Sequence, residues 1–171
     1  IYNCYRAVLD ATPGEDIRRR VIYMSPKGPV LKQSTGVRLA AGYDQLIILC
    51  GHYEGVDCRI VDEIVDEEIS IGDFVLTGGE IPACILTDCV ARLCPGVLSD
   101  PECFDRESLT DGLLEYPQYT RPYEFHGVKV PDVLISGHHA NIEKWRAAKA
   151  REETERKRPD LLSGCNGEVK D

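Results

Sequence analysis

The sequence predicts an α/β protein built on a parallel sheet with helices on both faces, and three observations predict it. Two unbroken apolar runs of strand length, "RVIYMS" (20–25) and "QLIILC" (45–50), lack the alternation of a sheet with one wet face. Parallel strands buried on both faces read this way. Helical patterns alternate with these runs, as βαβ units require. Glycine-rich loops, "SPKG" (25–28), "GHYEGVD" (51–57) and "IGDFVLTGG" (71–79), follow the predicted strands.

Taken in order, Ile1, Tyr5, Val8 and Leu9 carry a helix pattern that is already running at the first residue, so the chain is expected to be part of something longer. "STGVRLAAG" predicts a short helix between the first two strands. "CRIVDEIVDEEISI" predicts a short helix and a third strand, and "EIPACILTDCVARL" a buried helix. After "PGVL" the character changes. Residues 99–124 are rich in Asp, Glu and Pro with little periodicity, as in a linker or functional loop. "VKVPDVLISG" reads as extended. "HHANIEKWRAAKAREETERKR" reads as a helix with Ser136 or a neighbour near its N-cap and Pro159 after its end.

A chain of 171 residues with 43% hydrophobic content can bury one sizeable core and a small second lobe. No stretch approaches the apolar length of a membrane span, and the start lacks the order of a signal peptide, so the expected location is cytoplasmic. The net charge of -9 argues against indiscriminate nucleic-acid binding through a broad basic surface. It leaves room for a local patch, although "EKWRAAKAREETERKRP" also reads as a solvated helix face laced with charge pairs. The 8 cysteines stand singly, mostly in apolar surroundings, and are expected as buried thiols. A zinc site is disfavoured: Cys84, Cys89 and Cys94 turn to different sides of a helix, and no C-x-x-C pair exists.

Loops after the carboxyl ends of parallel strands converge on one crevice, where ligands bind. Their glycines let backbone N–H and C=O groups come close to a ligand. Neither G-x-G-x-x-G nor G-x-x-x-x-G-K-[ST] is present, so the usual dinucleotide and phosphate cradles are unsupported.

In order and spacing, "CGHYEGVD", "EEISIGDFVLTGGEIPA", "ARLCPGVL", "GLLEYPQYTRP" and "VLISGHHANIEKWR" closely resemble the bacterial tRNA (guanine-N1)-methyltransferases of the knotted SPOUT class. The resemblance covers nearly the whole chain. It implies an α/β domain over 1–98 that ends in a trefoil knot and binds S-adenosylmethionine, a linker over 99–114 carrying catalytic residues, and a small, mostly helical tRNA-binding domain over 115–171. The cofactor contacts it implies are Ser25 and Pro26 in the first loop. In the second they are Gly51, Tyr53, Glu54 and Gly55. The third supplies Ser70, Ile71, Gly72, Asp73, Phe74, Val75 and Leu76, followed by Gly78, Gly79 and Pro82.

In this family the methyl acceptor is N1 of the guanosine immediately 3′ of the anticodon. That nitrogen carries a proton in neutral water, so a base is needed, and a cation is needed for the charge that develops on the guanine oxygen. The resemblance places the base at Glu107, where many relatives have Asp, and the cation at Arg92. Asp111 is the second choice of base. Glu54 lies near the methionine end of the cofactor and is a Mg²⁺ candidate. His52 is given no proton transfer, His138 and His139 belong to the start of a helix, and Trp145 to the core. Contacts to the tRNA anticodon arm fall to Asp111, Glu115, Arg121, Lys144 and Arg146. The working unit is expected to be a homodimer with its active site between subunits. The family's first strand and glycine-rich guanosine loop have no counterpart here, so a cofactor- or RNA-binding piece without turnover is the competing expectation.

Overall fold

The computed structural model describes residues 1–163 apart from Pro13, Glu15, Tyr53 and 99–106. The chain divides into two compact units, Ile1–Ser99 and Asp100–Asp171.

The first unit opens with α1 (Tyr2–Ala11), none of whose residues is buried. Strand β1 (Arg19–Met24) follows, then α2 (Gln33–Gly42), β2 (Gln45–Cys50), α3 (Cys58–Ile64), β3 (Glu67–Ile69) and α4 (Glu80–Ala91). All three strands are parallel in the order β2-β1-β3, with Ile22 opposite both Ile48 and Glu67. The strand order reverses around β1, since the chain leaves β1 to one side for β2 and returns to the other side for β3. A crevice at the carboxyl ends is the consequence.

The core lies on the sheet face that carries Ile22, Met24 and Ile69, packed with Leu39 of α2 and with Leu86 and Val90 of α4. Ile22, Leu39 and Leu86 are completely buried. Each such side chain contributes roughly 1.5–3 kcal/mol of burial free energy. Residues of the opposite parity, Val21 and Ile47, are buried as well. The continuous apolar runs are therefore explained by burial on both faces. Ion pairs tie the sheet edge to α2: Glu67 receives Arg20 Nε at 2.9 Å and Arg38 Nη2 at 2.6 Å. Burial pushes the Glu67 carboxyl up, but the two guanidinium groups outweigh it and leave its pKa below the ordinary value.

The second unit contains a hairpin, β4 (Glu124–Phe125) and β5 (Val128–Lys129), and three helices, α5 (Asp132–Ile135), α6 (His139–Lys157) and α7 (Pro159–Ser163). His126 and Gly127 turn the hairpin with φ of 51° and 81°, the left-handed pair that matches strand twist. Thr154 is fully buried within α6, and its Oγ1 accepts the Leu114 N–H at 2.8 Å. Along the exposed side of α6, Arg146, Lys149, Arg151, Arg156 and Lys157 all pair with glutamates three or four residues away.

Two expectations are corrected. None of the described cysteines is buried: Cys4, Cys58 and Cys84 are exposed and Cys50, Cys89 and Cys94 half-buried, all as free thiols. Apolar neighbours in sequence do not bury a residue that a helix turns outward, as α4 does with Cys84. "VKVPDVLISG" is not one extended segment, because Asp132–Ile135 close a helical turn after Pro131. The N-cap of α6 is His138, a neighbour of Ser136 as the sequence leads one to expect, without a side-chain cap bond. Ser136 sits two residues earlier, where its Oγ accepts the His138 N–H at 3.2 Å.

Among the described residues, no helix is long and apolar enough to cross a membrane.

Candidate functional site

Each loop at the carboxyl end of the sheet is placed by the strand before it. After β1 the chain turns at once, with Gly28 N–H donating to the Ser25 carbonyl and Lys27 N–H to Ser25 Oγ, both at 3.2 Å. It then runs beside the loop that follows β3: Ser70 N–H donates to Pro29 O at 3.0 Å and Leu31 N–H to Ser70 O at 2.7 Å. A Cβ on Gly28 would stand 2.4 Å from the Glu68 carbonyl carbon, so glycine is required at this crossing.

A second crossing joins the loop after β2 to the same segment further on. His52 bridges Gly78, and Gly79 N–H donates to Gly51 O at 3.3 Å. A Cβ on Gly79 would lie 2.8 Å from Cys50 Cα. The chain's own backbone is thus what comes so close to these two glycines.

The three loops enclose a cavity of about 490 Å³. Its third wall is held by internal bonds: Ser70 Oγ donates to Gly72 O at 3.0 Å and accepts Gly72 N–H at 3.1 Å, while Phe74 N–H donates to Gly72 O at 2.9 Å. Yet Phe74, Val75 and Leu76 are 54%, 84% and 40% exposed. Three consecutive apolar side chains on a braced loop beside a cavity mark a surface for a ligand or partner.

The cofactor residues implied by the resemblance all line this cavity, with two exceptions. Asp73 is exposed on the same loop and is not part of the lining, and Tyr53 lies outside the described residues. Sequence reasoning missed Tyr23, Lys27, Asp62, Glu68 and Thr77, which line it too. Tyr23 and Glu68 are register partners on β1 and β3, on the face opposite Met24 and Ile69. Their signal was parity: once Ile22 and Met24 face the core, Tyr23 faces the other way. Glu68 Oε2 is buried and has no hydrogen-bond partner among the described residues, which leaves an acceptor for a ligand N–H or O–H.

Carboxylates outnumber cations in the lining, with Glu54, Asp62 and Glu68 against Lys27. The field therefore favours a ligand with a positive centre. At the start of α4, Glu80 is held below the ordinary carboxylate range by its own backbone N–H and then by His52, with which it pairs.

Arg92 caps the C-terminus of α4, its N–H donating to Asp88 O at 3.2 Å; it is half-buried and outside the cavity lining. Glu107 belongs to the second unit, is half-buried, and accepts the Thr110 N–H on its carbonyl at 3.3 Å. Local bonds brace the segment after it, with Asp111 Oδ1 accepting Leu113 N–H at 3.2 Å and Glu115 N–H donating to Ser108 Oγ at 3.0 Å. Arg121 precedes a cis proline, and Lys144 lies on the first turns of α6; neither has an ion-pair partner among the described residues. Arg146 stacks over Tyr116 at 4.8 Å from the ring centroid. No group of three metal-capable side chains comes together among the described residues.

A family model described as tRNA (Guanine-1)-methyltransferase TrmD matches residues 2–164. The chain is 56% identical over 163 residues to the tRNA (guanine-N(1)-)-methyltransferase of Ruminiclostridium cellulolyticum, covering 95% of this chain and 68% of the relative. Relatives of the same name from Geobacter sulfurreducens and Nostoc punctiforme are 54% and 53% identical, covering 91% and 85% of this chain and 63% and 60% of their own lengths. The chain thus spans about two thirds of the length of the curated relatives it matches.

Proposed function

The chain belongs to the tRNA (guanine-1)-methyltransferase family, and we propose from that premise that it transfers a methyl group from S-adenosylmethionine to N1 of the guanosine immediately 3′ of the anticodon in tRNA. The observation that supports this most is the cavity. Its apolar loop fits a planar base, and its acidic floor with the partnerless Glu68 acceptor fits a cationic, hydrogen-bonding chain.

In this reading Ile71, Leu76 and Pro82 hold the adenine, with backbone groups at Gly51, Gly78 and Gly79 reading its edge. Ser25, Pro26, Ser70, Gly72, Phe74 and Val75 complete the walls, and Glu54 and Gly55 stand at the amino-acid end, with Asp73 flanking. The two backbone crossings, at Gly28 and at Gly79, belong to a trefoil knot, a rare exception to unthreaded chains. Glu54 is the residue that would hold Mg²⁺, an ion that binds through as few as one or two carboxylates.

When bound, the cofactor supplies an electrophilic methyl group on a cationic sulfur. Glu107 takes the N1 proton, so that the nitrogen lone pair is free to attack; Asp111 is the alternative base. Arg92 stabilises the charge left on the guanine oxygen. Arg121, Lys144 and Arg146 position the anticodon arm, with Asp111 and Glu115 beside the target base. The working unit is a homodimer. On α4, Ile81 and Ile85 are 62% and 44% exposed one turn apart, an apolar strip for a second copy to cover.

The test is calorimetric titration of S-adenosylmethionine, followed by methyl transfer to a tRNA transcript with guanosine or adenosine at the target position. One cofactor per chain and guanosine-dependent transfer are expected, and Glu107→Ala should slow transfer by about 10²–10⁴-fold with cofactor affinity unchanged. A folded chain that binds no cofactor would sink the reading.

A further inference from the structure

The second unit contains a cavity of its own, of about 500 Å³, between the segment 116–123 and helices α5 and α6. Tyr116, Tyr119, Tyr123, Arg121 and Arg146 line it. Two of its rings are anchored and still open to solvent. Tyr123 Oη donates to Asp132 at 2.9 Å, Tyr119 leans on Trp145 at 6.2 Å between centroids, and both tyrosines remain 43% exposed.

Arg146 is fixed more firmly. Its guanidinium stacks on Tyr116 and its Nη1 donates to Glu143 at 2.9 Å. Its Nε is buried with no hydrogen-bond acceptor among the described residues. A buried N–H without an acceptor is costly unless a ligand provides one. Charge at the site also differs from the rest of α6. Beyond residue 146 the basic side chains of the helix pair with glutamates, whereas Arg121 in the lining and Lys144, outside it on the first turns of α6, have no ion-pair partner among the described residues.

We propose that this cavity holds one unstacked nucleobase of single-stranded RNA, stacked on Tyr119, with an acceptor atom of its edge on Arg146 Nε and its flanking phosphates at Arg121 and Lys144. Aromatic faces for the base, an orphan donor for its edge and unpaired cations for the backbone are what single-stranded recognition combines. A peptide would satisfy the apolar walls but gives no reason for unpaired cations at two places. A phosphate alone would not use the rings. The proposal rests on the RNA-binding part of the function proposed above and names a base contact within it, separate from the methylated guanosine.

The experiment places 2-aminopurine at successive unpaired positions of an anticodon-arm RNA and follows fluorescence and affinity with the whole chain, using Tyr119→Leu and Arg146→Lys. Stacking on a tyrosine should quench the probe at one position. Tyr119→Leu should abolish that quenching and weaken binding about tenfold, while affinity for duplex RNA and for S-adenosylmethionine stays unchanged. Arg146→Lys keeps the charge and should still weaken the arm. Wild-type binding with no position quenched, or wild-type affinity for the arm in both variants, would overturn the pocket and leave RNA binding intact. No binding of the arm by the wild type would overturn both. A change of molecular mass in Tyr119→Leu would instead assign the rings to a protein interface and overturn the base site.

Discussion

Gly28 is the most constrained position in the first unit, because the atoms a side chain would meet there are backbone. Gly28→Ala places a methyl group 2.4 Å from the Glu68 carbonyl carbon, and neither strand can move without disturbing β3. The substitution is expected to lower stability by about 1–3 kcal/mol, read from urea unfolding, and to weaken cofactor binding at the same crossing. A wild-type midpoint would show that the chain does not cross there. A second residue-level test concerns pH. The Arg18 side chain, and then its backbone N–H, hydrogen-bond Asp44 and hold that carboxyl down to about 2 from an ordinary 3.8. Since the folded value lies below the unfolded one, the stabilisation is present above about pH 4 and is lost as pH falls toward 2. Both groups are exposed, so salt should weaken the effect. Carboxyl NMR should show Asp44 titrating near 2, returning toward 3.8 in Arg18→Ala.

At the scale of elements, α4 serves two environments. Leu86 and Val90 pack into the sheet, while Ile81 and Ile85 face outward a turn apart. Ile85→Glu leaves the core untouched and charges the exposed strip, so it should convert a dimer to a monomer by light scattering and remove methyl transfer with it. A monomeric wild type, or a dimeric variant, would take the subunit interface away from this helix. Helix α6 is built differently. Its ladder of ion pairs supports the helix by only about 0.2–0.5 kcal/mol per pair; its buried residues are Ile142 and Thr154, and Thr154 fixes the preceding segment through Leu114. The helix was legible as a charge-laced pattern; the anchor was not, since a threonine among glutamates gives no sign of a partner forty residues earlier in the chain.

For the whole molecule, net charge and pairing together limit how RNA is held. A chain of net charge -9 whose α6 cations mostly face glutamates offers few sites to phosphate. With two or three phosphate contacts, the slope of log affinity for tRNA against log salt should be about -2 to -3. A slope near -10 would mean a broad basic surface and would contradict the contacts assigned to Arg121, Lys144 and Arg146.

The sequence by itself determined the three parallel strands, the helices between them and the loops that form the cavity. Each depends on local periodicity and on glycine placement, which neighbouring residues express. Only the tertiary structure decided that Gly28 and Gly79 are glycines because backbone crosses backbone, that Tyr23 and Glu68 line the same cavity, and that the described cysteines stay unburied. Those facts depend on which distant segments meet, and no pattern along a single stretch of chain records that.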